Sequence, residues 1–397
     1  MTISLDLKTL GVIFSISTVS LFVYYRLYQR TSARLVYGDS RSMLDPVRRR
    51  LAEQIEDIVK LCPELSNPKY IPTFWAANQW ANLVLFLVKE QFDKYFRANI
   101  FSREILTLSD GGTVSIDFSD DTNLCTTAPI VMFLHTVTGS SRDTSHFVRY
   151  ATSRGWRGCV FNRRGHGEIS LTSPSFNCMG DASDTKAQVD FVTTKFPSAS
   201  YLAMVGISAG SGLVLNYLGK EGEKTPIQAA CSLCPAYDIT QAFTKLADLY
   251  PVVDRHLLSS VKNHFLTKNR QILSSKSQAA LDRCYQAKTT HEFLTANYSF
   301  AGCDSVDDYF AANNPMEWVE GIVRPFMLVN SEDDMVCLPT NIQEDVVVAL
   351  GGALLLRTRK GSHIAFNEGV LGTGSYLARI TMDFLEAARI SENVDKS

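Results

Sequence analysis

The sequence predicts an α/β protein, a mostly parallel sheet with helices on both faces and a helical cap inserted late in the chain. Three observations predict it. Short apolar runs recur at Ile130–Leu134, Gly158–Phe161, Tyr201–Val205, Ala229–Leu233, Phe326–Val329 and Ala353–Leu356, with helix-length segments between them. Runs so uniformly apolar fit strands buried on both faces, as in a parallel sheet. Around Ser208, an apolar strand gives way through two glycines to a helix-forming stretch. Between Pro235 and Pro325 the alternation lapses into polar, helix-prone sequence (Asp248 to Asn314), longer than a single crossover needs.

Composition sets the bounds. The 397 residues are 45% apolar and 20% charged, the profile of a globular protein with a large core. A formal net charge of −2 leaves no electrostatic case for a nucleic-acid partner, and no feature calls for an obligate protein partner. Nine cysteines, an odd number scattered from Cys62 to Cys337, read as reduced thiols rather than a disulfide framework. Cys231 and Cys234 form a C-x-x-C inside an apolar run. With no second pair at zinc-like spacing, strand packing is the reading.

Taken from the N-terminus, Leu10 to Tyr28 (LGVIFSISTVSLFVYYRLY) carries one charge, Arg26. Roughly twenty apolar residues span a bilayer core of ~30 Å, so the segment is long enough to cross one. Tyr24, Tyr25 and Tyr28 gather at one end, where aromatic rings favour the interface. A signal peptide would want a basic stretch first, yet Lys8 alone precedes it, offset by Asp6. Arg26, Arg30 and Arg34 follow the span and favour a cytosolic catalytic domain. The sequon Asn297-Tyr298-Ser299 would be usable if that domain were lumenal. Expected is a single-pass anchor in the endoplasmic reticulum or another endomembrane.

Ser42 to Ile58 has helical spacing, and Cys62 to Pro72 reads as a loop. Phe74 to Val88 is apolar but carries Asn78, Gln79 and Asn82, which suits a helix lying on the domain or on a lipid surface better than a second span. Asp110-Gly111-Gly112 marks a hairpin within Glu104–Asp117. The expected organisation is an anchor over 1–35 with its span at about 10–28, and a helical extension over 36–100. A catalytic domain follows over 101–390 with a cap at about 238–320, then a tail over 391–397.

The chemistry centres on Gly206-Ile207-Ser208-Ala209-Gly210, a G-x-S-x-G between strand and helix. That context is a nucleophile elbow, whose glycines let strand and helix approach closely around a strained serine. The serine needs a base, and the elbow architecture expects an acid and then a histidine downstream. An acid follows the Phe326–Asn330 strand in Ser331-Glu332-Asp333-Asp334-Met335-Val336. Two aspartates compete for the role; the pattern Asp, variable, aliphatic, usual in such enzymes, favours Asp334 over Asp333, which would then cap the loop. His363 follows the last strand, whereas His135, His146 and His166 precede Ser208 and fall in the wrong order. The oxyanion hole needs two amides, Ala209 after the nucleophile and Val137 in the loop His135-Thr136-Val137-Thr138-Gly139. His135 then shapes that loop. Asn162-Arg163-Arg164-Gly165-His166-Gly167 reads as a turn whose arginines tie neighbouring loops, or as a loop at the pocket mouth. No metal or organic cofactor is required.

With these residues in place, the chain resembles the membrane-anchored abhydrolase-domain lipases, AB hydrolase family 4 of the α/β-hydrolase superfamily. The likeness runs from the apolar segment to about residue 390. It includes Tyr70-Ile-Pro-Thr73, the His-x-x-Thr-Gly loop, Asn162-x-Arg164-Gly165, the elbow, Val306-Asp-Asp-Tyr309 and Asn330-Ser-x-Asp-Asp334. The spacing of Ser208, Asp334 and His363 also resembles that of the medium-chain phospholipase type. One departure stands out. The family loop usually reads His-Gly-Leu-Thr-Gly, and Thr136 replaces its first glycine, so a Cβ there could exclude a positive φ. The resemblance implies an α/β-hydrolase fold and ester hydrolysis on glycerolipids, phosphatidylcholines with short, medium or oxidatively truncated chains above all. Alternatives are an acylglycerol lipase or general carboxylesterase, an alcohol O-acyltransferase using the same triad, and a non-catalytic membrane-bound binding protein.

Overall fold

The computed structural model describes residues 15, 17–19, 31–96, 101–120 and 123–395. Most of the Leu10–Tyr28 segment lies outside the described residues. No helix among those described is long and apolar enough to cross a membrane.

Nine strands form one sheet: β1 (Arg34–Tyr37), β2 (Phe101–Thr107), β3 (Thr113–Ser119), β4 (Ile130–Leu134), β5 (Arg157–Asn162), β6 (Leu202–Ile207), β7 (Ala229–Leu233), β8 (Phe326–Ser331) and β9 (Ala353–Thr358). Their order is β1-β9-β8-β7-β6-β4-β5-β3-β2. The strands from β9 through β5 run parallel, while β1 at one edge and β3 and β2 at the other pair antiparallel. Each expected apolar run falls on one of the parallel strands, Tyr201 alone standing one residue ahead of β6, and the Asp110–Gly112 turn joins β2 to β3. Strand order reverses beside β6, so Ser208 at its carboxyl end stands where a doubly wound sheet opens a crevice.

Because β4, β7 and β8 are buried on both faces, the sheet has two apolar layers. Val131, Phe133, Ala203, Val205 and Leu354 pack on one side under the C-terminal helix Tyr376–Asp395. Met132, Met204, Leu328 and Leu355 pack on the other against the helix Ala209–Glu221. Strand β1 was not anticipated: four residues beginning with Arg34 offer too short a pattern, and pairing with β9 makes the strand. The helix expected from Ser42 begins at Pro46 instead and is α1 (Pro46–Leu61). The Asp45 carboxylate caps Val47 N and Arg48 N, and proline suits the first turn. The segment expected at Phe74–Val88 is a 3₁₀ turn followed by α2 (Gln79–Phe96).

The cap comprises α3 (Ile239–Leu249), α4 (Pro251–Val261), a π-helical turn at Lys262–Thr267, and four short helices ending at Val306–Asn313. Its apolar cluster, built on Leu246, Phe265, Leu281, Phe293 and Tyr309, continues into the core domain through Phe176, Met179 and Ala209. The sequon meets a correction here. Asn297 is fully buried and its amide donates to Phe293 O and Leu294 O, so the folded protein offers no glycosylation acceptor there.

Candidate active site

Three loops at the carboxyl ends of β6, β8 and β9 meet over the sheet. At the first, Ser208 adopts φ 54° and ψ −115°, a strained conformation for a residue with a Cβ. The strain follows from the close packing of strand on helix. A Cβ on Gly206 would come within 2.1 Å of Gly210 O, and one on Gly210 within 2.2 Å of Leu134 O. Both glycines are therefore required by steric contact. Ser208 N donates to Leu233 O at 2.9 Å and fixes the turn to the neighbouring strand.

From the third loop, His363 Nε2 lies 2.8 Å from Ser208 Oγ. Its Nδ1 lies 2.9 and 3.1 Å from the two carboxylate oxygens of Asp334 in the second loop. Asp334 is buried, and its Oδ1 accepts from Val336 N and Cys337 N at 2.8 Å each, which fixes the carboxylate plane. Asp333 points elsewhere: it accepts from Ser362 N at 2.8 Å and clamps the β8 loop to the histidine loop. Burial raises the Asp333 carboxyl above its ordinary range. The structure thus joins Ser208, His363 and Asp334 in one hydrogen-bonded chain, in which the imidazole can take the serine proton while the carboxylate holds its tautomer.

Val137 and Ala209 line the same cleft as Ser208. Neither backbone N–H meets an acceptor among the described residues, so both are free to serve a ligand oxygen. Thr136 does not take a positive φ, so its Cβ is tolerated, contrary to the expected conflict. Gly139 makes the room, since a Cβ there would lie 2.7 Å from Thr136 Oγ1. The cleft has a volume of about 240 Å³ and an apolar lining from both core and cap, including Ile239, Phe243, Val253, Leu257, Met335 and Val336.

Arg164 pairs with Asp184 and Asp110, tying the β5 turn to its neighbours as expected of this motif. Two neighbours of the site were expected only in part, the arginines of the β5 turn as ties between loops and Cys234 as strand packing. Arg163 reaches Thr136 O at 2.5 Å, and nothing in a loop arginine forecasts that target. Cys234, just past β7 at φ 54°, brings its thiol beside Asp334 and His363. Those three are the group of ligand types close enough to share an ion among the described residues. The His363–Asp334 hydrogen bond already uses the nitrogen and the carboxylate, and burial holds the Cys234 thiol well above its usual range and so protonated. That is a poor cation site, since metal ligation asks for a thiolate.

Residues 126–359, more than half of the chain, match the family described as "Serine aminopeptidase, S33" (Hydrolase_4). The phospholipase ABHD3 of Homo sapiens is 28% identical over 338 residues, covering 82% of this chain and 80% of that protein. The monoacylglycerol lipase of Saccharomyces cerevisiae is 25% identical over 251 residues, covering 60% and 55%. Among solved structures, an esterase of Pyrococcus furiosus aligns with 15% identity and a TM-score of 0.47, covering 75% of this chain and 92% of that one. The parallel sheet, the elbow at its crossover point and the family match agree: the chain belongs to the Hydrolase_4 family of the α/β-hydrolase superfamily.

Proposed function

We propose that this chain is a serine hydrolase of glycerolipid esters. In this reading Ser208 is the nucleophile, His363 the general base, Asp334 its orienting acid, and the Val137 and Ala209 amides form the oxyanion hole. The observation that carries it is the 2.8 Å contact between Ser208 Oγ and His363 Nε2 at the floor of an apolar cleft. Ser208 attacks the acyl carbonyl as His363 removes its proton, and the two amides stabilise the oxyanion by about 3 kcal/mol per donor. His363 then protonates the leaving alcohol, and a water it activates releases the fatty acid. The chain is a carboxylic ester hydrolase, in keeping with the phospholipase and lipase activities named for its relatives.

Substrate size follows from the cleft. At about 240 Å³ it lies below the ~300–1,000 Å³ typical of sites that enclose a whole drug-sized ligand. It suits one short, medium or truncated acyl chain of a phosphatidylcholine, with the remainder of the lipid outside. Conversion of Ser208 to Ala should abolish both fluorophosphonate labelling and release of short-chain fatty acid; a variant that still turns over excludes Ser208 as nucleophile. Addition of ethanol separates hydrolysis from acyl transfer, with free acid expected to remain the product.

Membrane attachment belongs to the same reading. The apolar residues 10–28 supply an N-terminal anchor. Thr31, the first residue described after that segment, pairs with Tyr70, which precedes Trp75, Trp80, Val84 and Val88, all exposed. Trp80 also meets Tyr250 of the cap, with ring centroids 6.1 Å apart. Tryptophans at this position suit the headgroup region of a bilayer and bring the cleft to its surface. The protein should stay with membranes through carbonate extraction, and recovery in the supernatant would refute the anchor.

A further inference from the structure

Two adjacent arginines follow β5, and their surroundings differ. Arg164 is neutralised by Asp184 and Asp110. Arg163 is buried, 7% exposed, and forms no ion pair among the described residues. Its guanidinium donates only to neutral backbone oxygens, Thr136 O at 2.5 Å, Met179 O at 3.2 Å and Cys178 O at 3.4 Å, with the neutral His135 ring alongside. Its Nε has no partner among the described residues. A buried cation without a counter-charge is costly, and folds retain one where it has work to do.

The peptide it holds shows what that work is. Thr136 C=O and Val137 N–H belong to one planar trans peptide, so they point in opposite directions. Pinning the oxygen from behind directs the N–H forward, to the cleft that Val137 shares with Ser208. His135 adds a second donor. Its Nε2 accepts from Arg163 N at 3.4 Å, which leaves the proton on Nδ1 to donate to Thr136 O at 2.8 Å. The next peptide is held as well, with His166 Nε2 3.0 Å from Val137 O. Two donors on one carbonyl, one of them charged, pull electron density from the amide and strengthen its N–H as a donor.

We propose that Arg163 is a positioning residue of the oxyanion hole, a buried, uncompensated guanidinium that aims and polarises the Thr136–Val137 peptide. The inference rests on the reading of Ser208 as nucleophile. Burial lowers the Arg163 guanidinium to about 10, so it remains charged at neutral pH. The contribution is realised as charge builds on the substrate oxygen, and therefore belongs to the transition state more than to substrate binding.

The test uses the full chain with Arg163→Met, Arg163→Lys and Arg163→Gln, with active sites counted by fluorophosphonate titration to endpoint. Arg163→Met should lower kcat per site on the order of 100-fold, as for a reacting group displaced by ~1 Å, with KM little changed. Affinity for a trifluoromethyl ketone, which forms an oxyanion on Ser208, should fall in step, while inhibition by the free fatty acid stays constant. Arg163→Lys should recover part of kcat and Arg163→Gln less. If Arg163→Met does not fold, the order Arg, Lys, Gln in kcat at constant fatty-acid inhibition supports the same role, and any other order overturns it. Unchanged kcat per site, or equal weakening of ketone and fatty acid, overturns the role. Turnover surviving in Ser208→Ala would instead overturn the reading beneath it, so the two failures are distinguishable.

Discussion

The sheet core and the cap both line the cleft, yet they hold their residues by different means. Around the core site the backbone itself is strained. Five of the six non-glycine residues with positive φ among those described are Ser208, Cys234, Ser362, Ile364 and Phe366, all within the loops that carry or flank the triad. None lies in the cap, where Gly302 alone takes a positive φ among the described residues. The core loops are over-determined by strand hydrogen bonds and glycine contacts, which is the condition under which strain of ~1–3 kcal/mol per residue persists. The cap is a set of short helices joined by side-chain packing, with a π-helical turn at Lys262–Thr267. Chemistry that needs sub-ångström placement sits on the strained scaffold, and chain fit, which tolerates repacking, is left to the helices.

The largest effects should come from the strained side. Asp334→Asn keeps the shape but no longer orients the imidazole with its proton on Nδ1, and kcat should fall by about 10⁴. Asp333→Asn, one residue away, keeps an amide oxygen to accept from Ser362 N, loses only a carboxylate charge 3.9 Å from Lys360 Nζ, and should retain most of its turnover. Steady-state kinetics of the two variants decide between them: equal losses would mean that the two carboxylates share the role.

On the cap side a smaller change of a different kind is expected. Leu257 and Phe243 line the cleft from α4 and α3. Leu257→Trp adds bulk to the wall without touching the triad, and should penalise longer acyl chains relative to butyrate by roughly 10- to 200-fold in kcat/KM. A uniform loss across chain lengths would place the acyl chain elsewhere and blur the division between core and cap.

The same division explains what could be read in advance. Ser208, Asp334 and His363 were legible because strand-end chemistry is local: each follows an apolar run whose length and order identify it. The cap was visible as an interruption of that pattern. Strand β1 was not, because four residues beginning with Arg34 become a strand only by pairing with β9, a partner more than three hundred residues away in sequence. Arg163 hid for a related reason. Its motif announces a turn, but whether a loop arginine meets a carboxylate or a peptide oxygen depends on tertiary packing that no spacing encodes. Asn297 shows the converse error, a correct motif in a place that burial closes.

The smallest effect expected concerns the seam between the two regions. His264 of the π-helical turn packs its ring 4.2 Å from that of His166 in the core, and its buried Nε2 has no partner among the described residues. Burial, then Lys268 and Arg163, lowers its imidazole to about 4. With a folded value below the ordinary 6.5, the unfolded chain binds the proton first as pH falls, so the stability this neutral ring contributes is intact above 6.5 and lost between 6.5 and 4. At pH 5 that loss amounts to about 2 kcal/mol. His264→Phe keeps the ring and removes the titration, at a cost of about 1 kcal/mol for the hydrogen bond to the Gly165 backbone. Denaturant melts should therefore find the variant slightly weaker at pH 7.5 and level with or above the parent at pH 5. Parallel curves at the two pH values would show that the seam does not sense protons, and that acid stability is set within the core and cap separately.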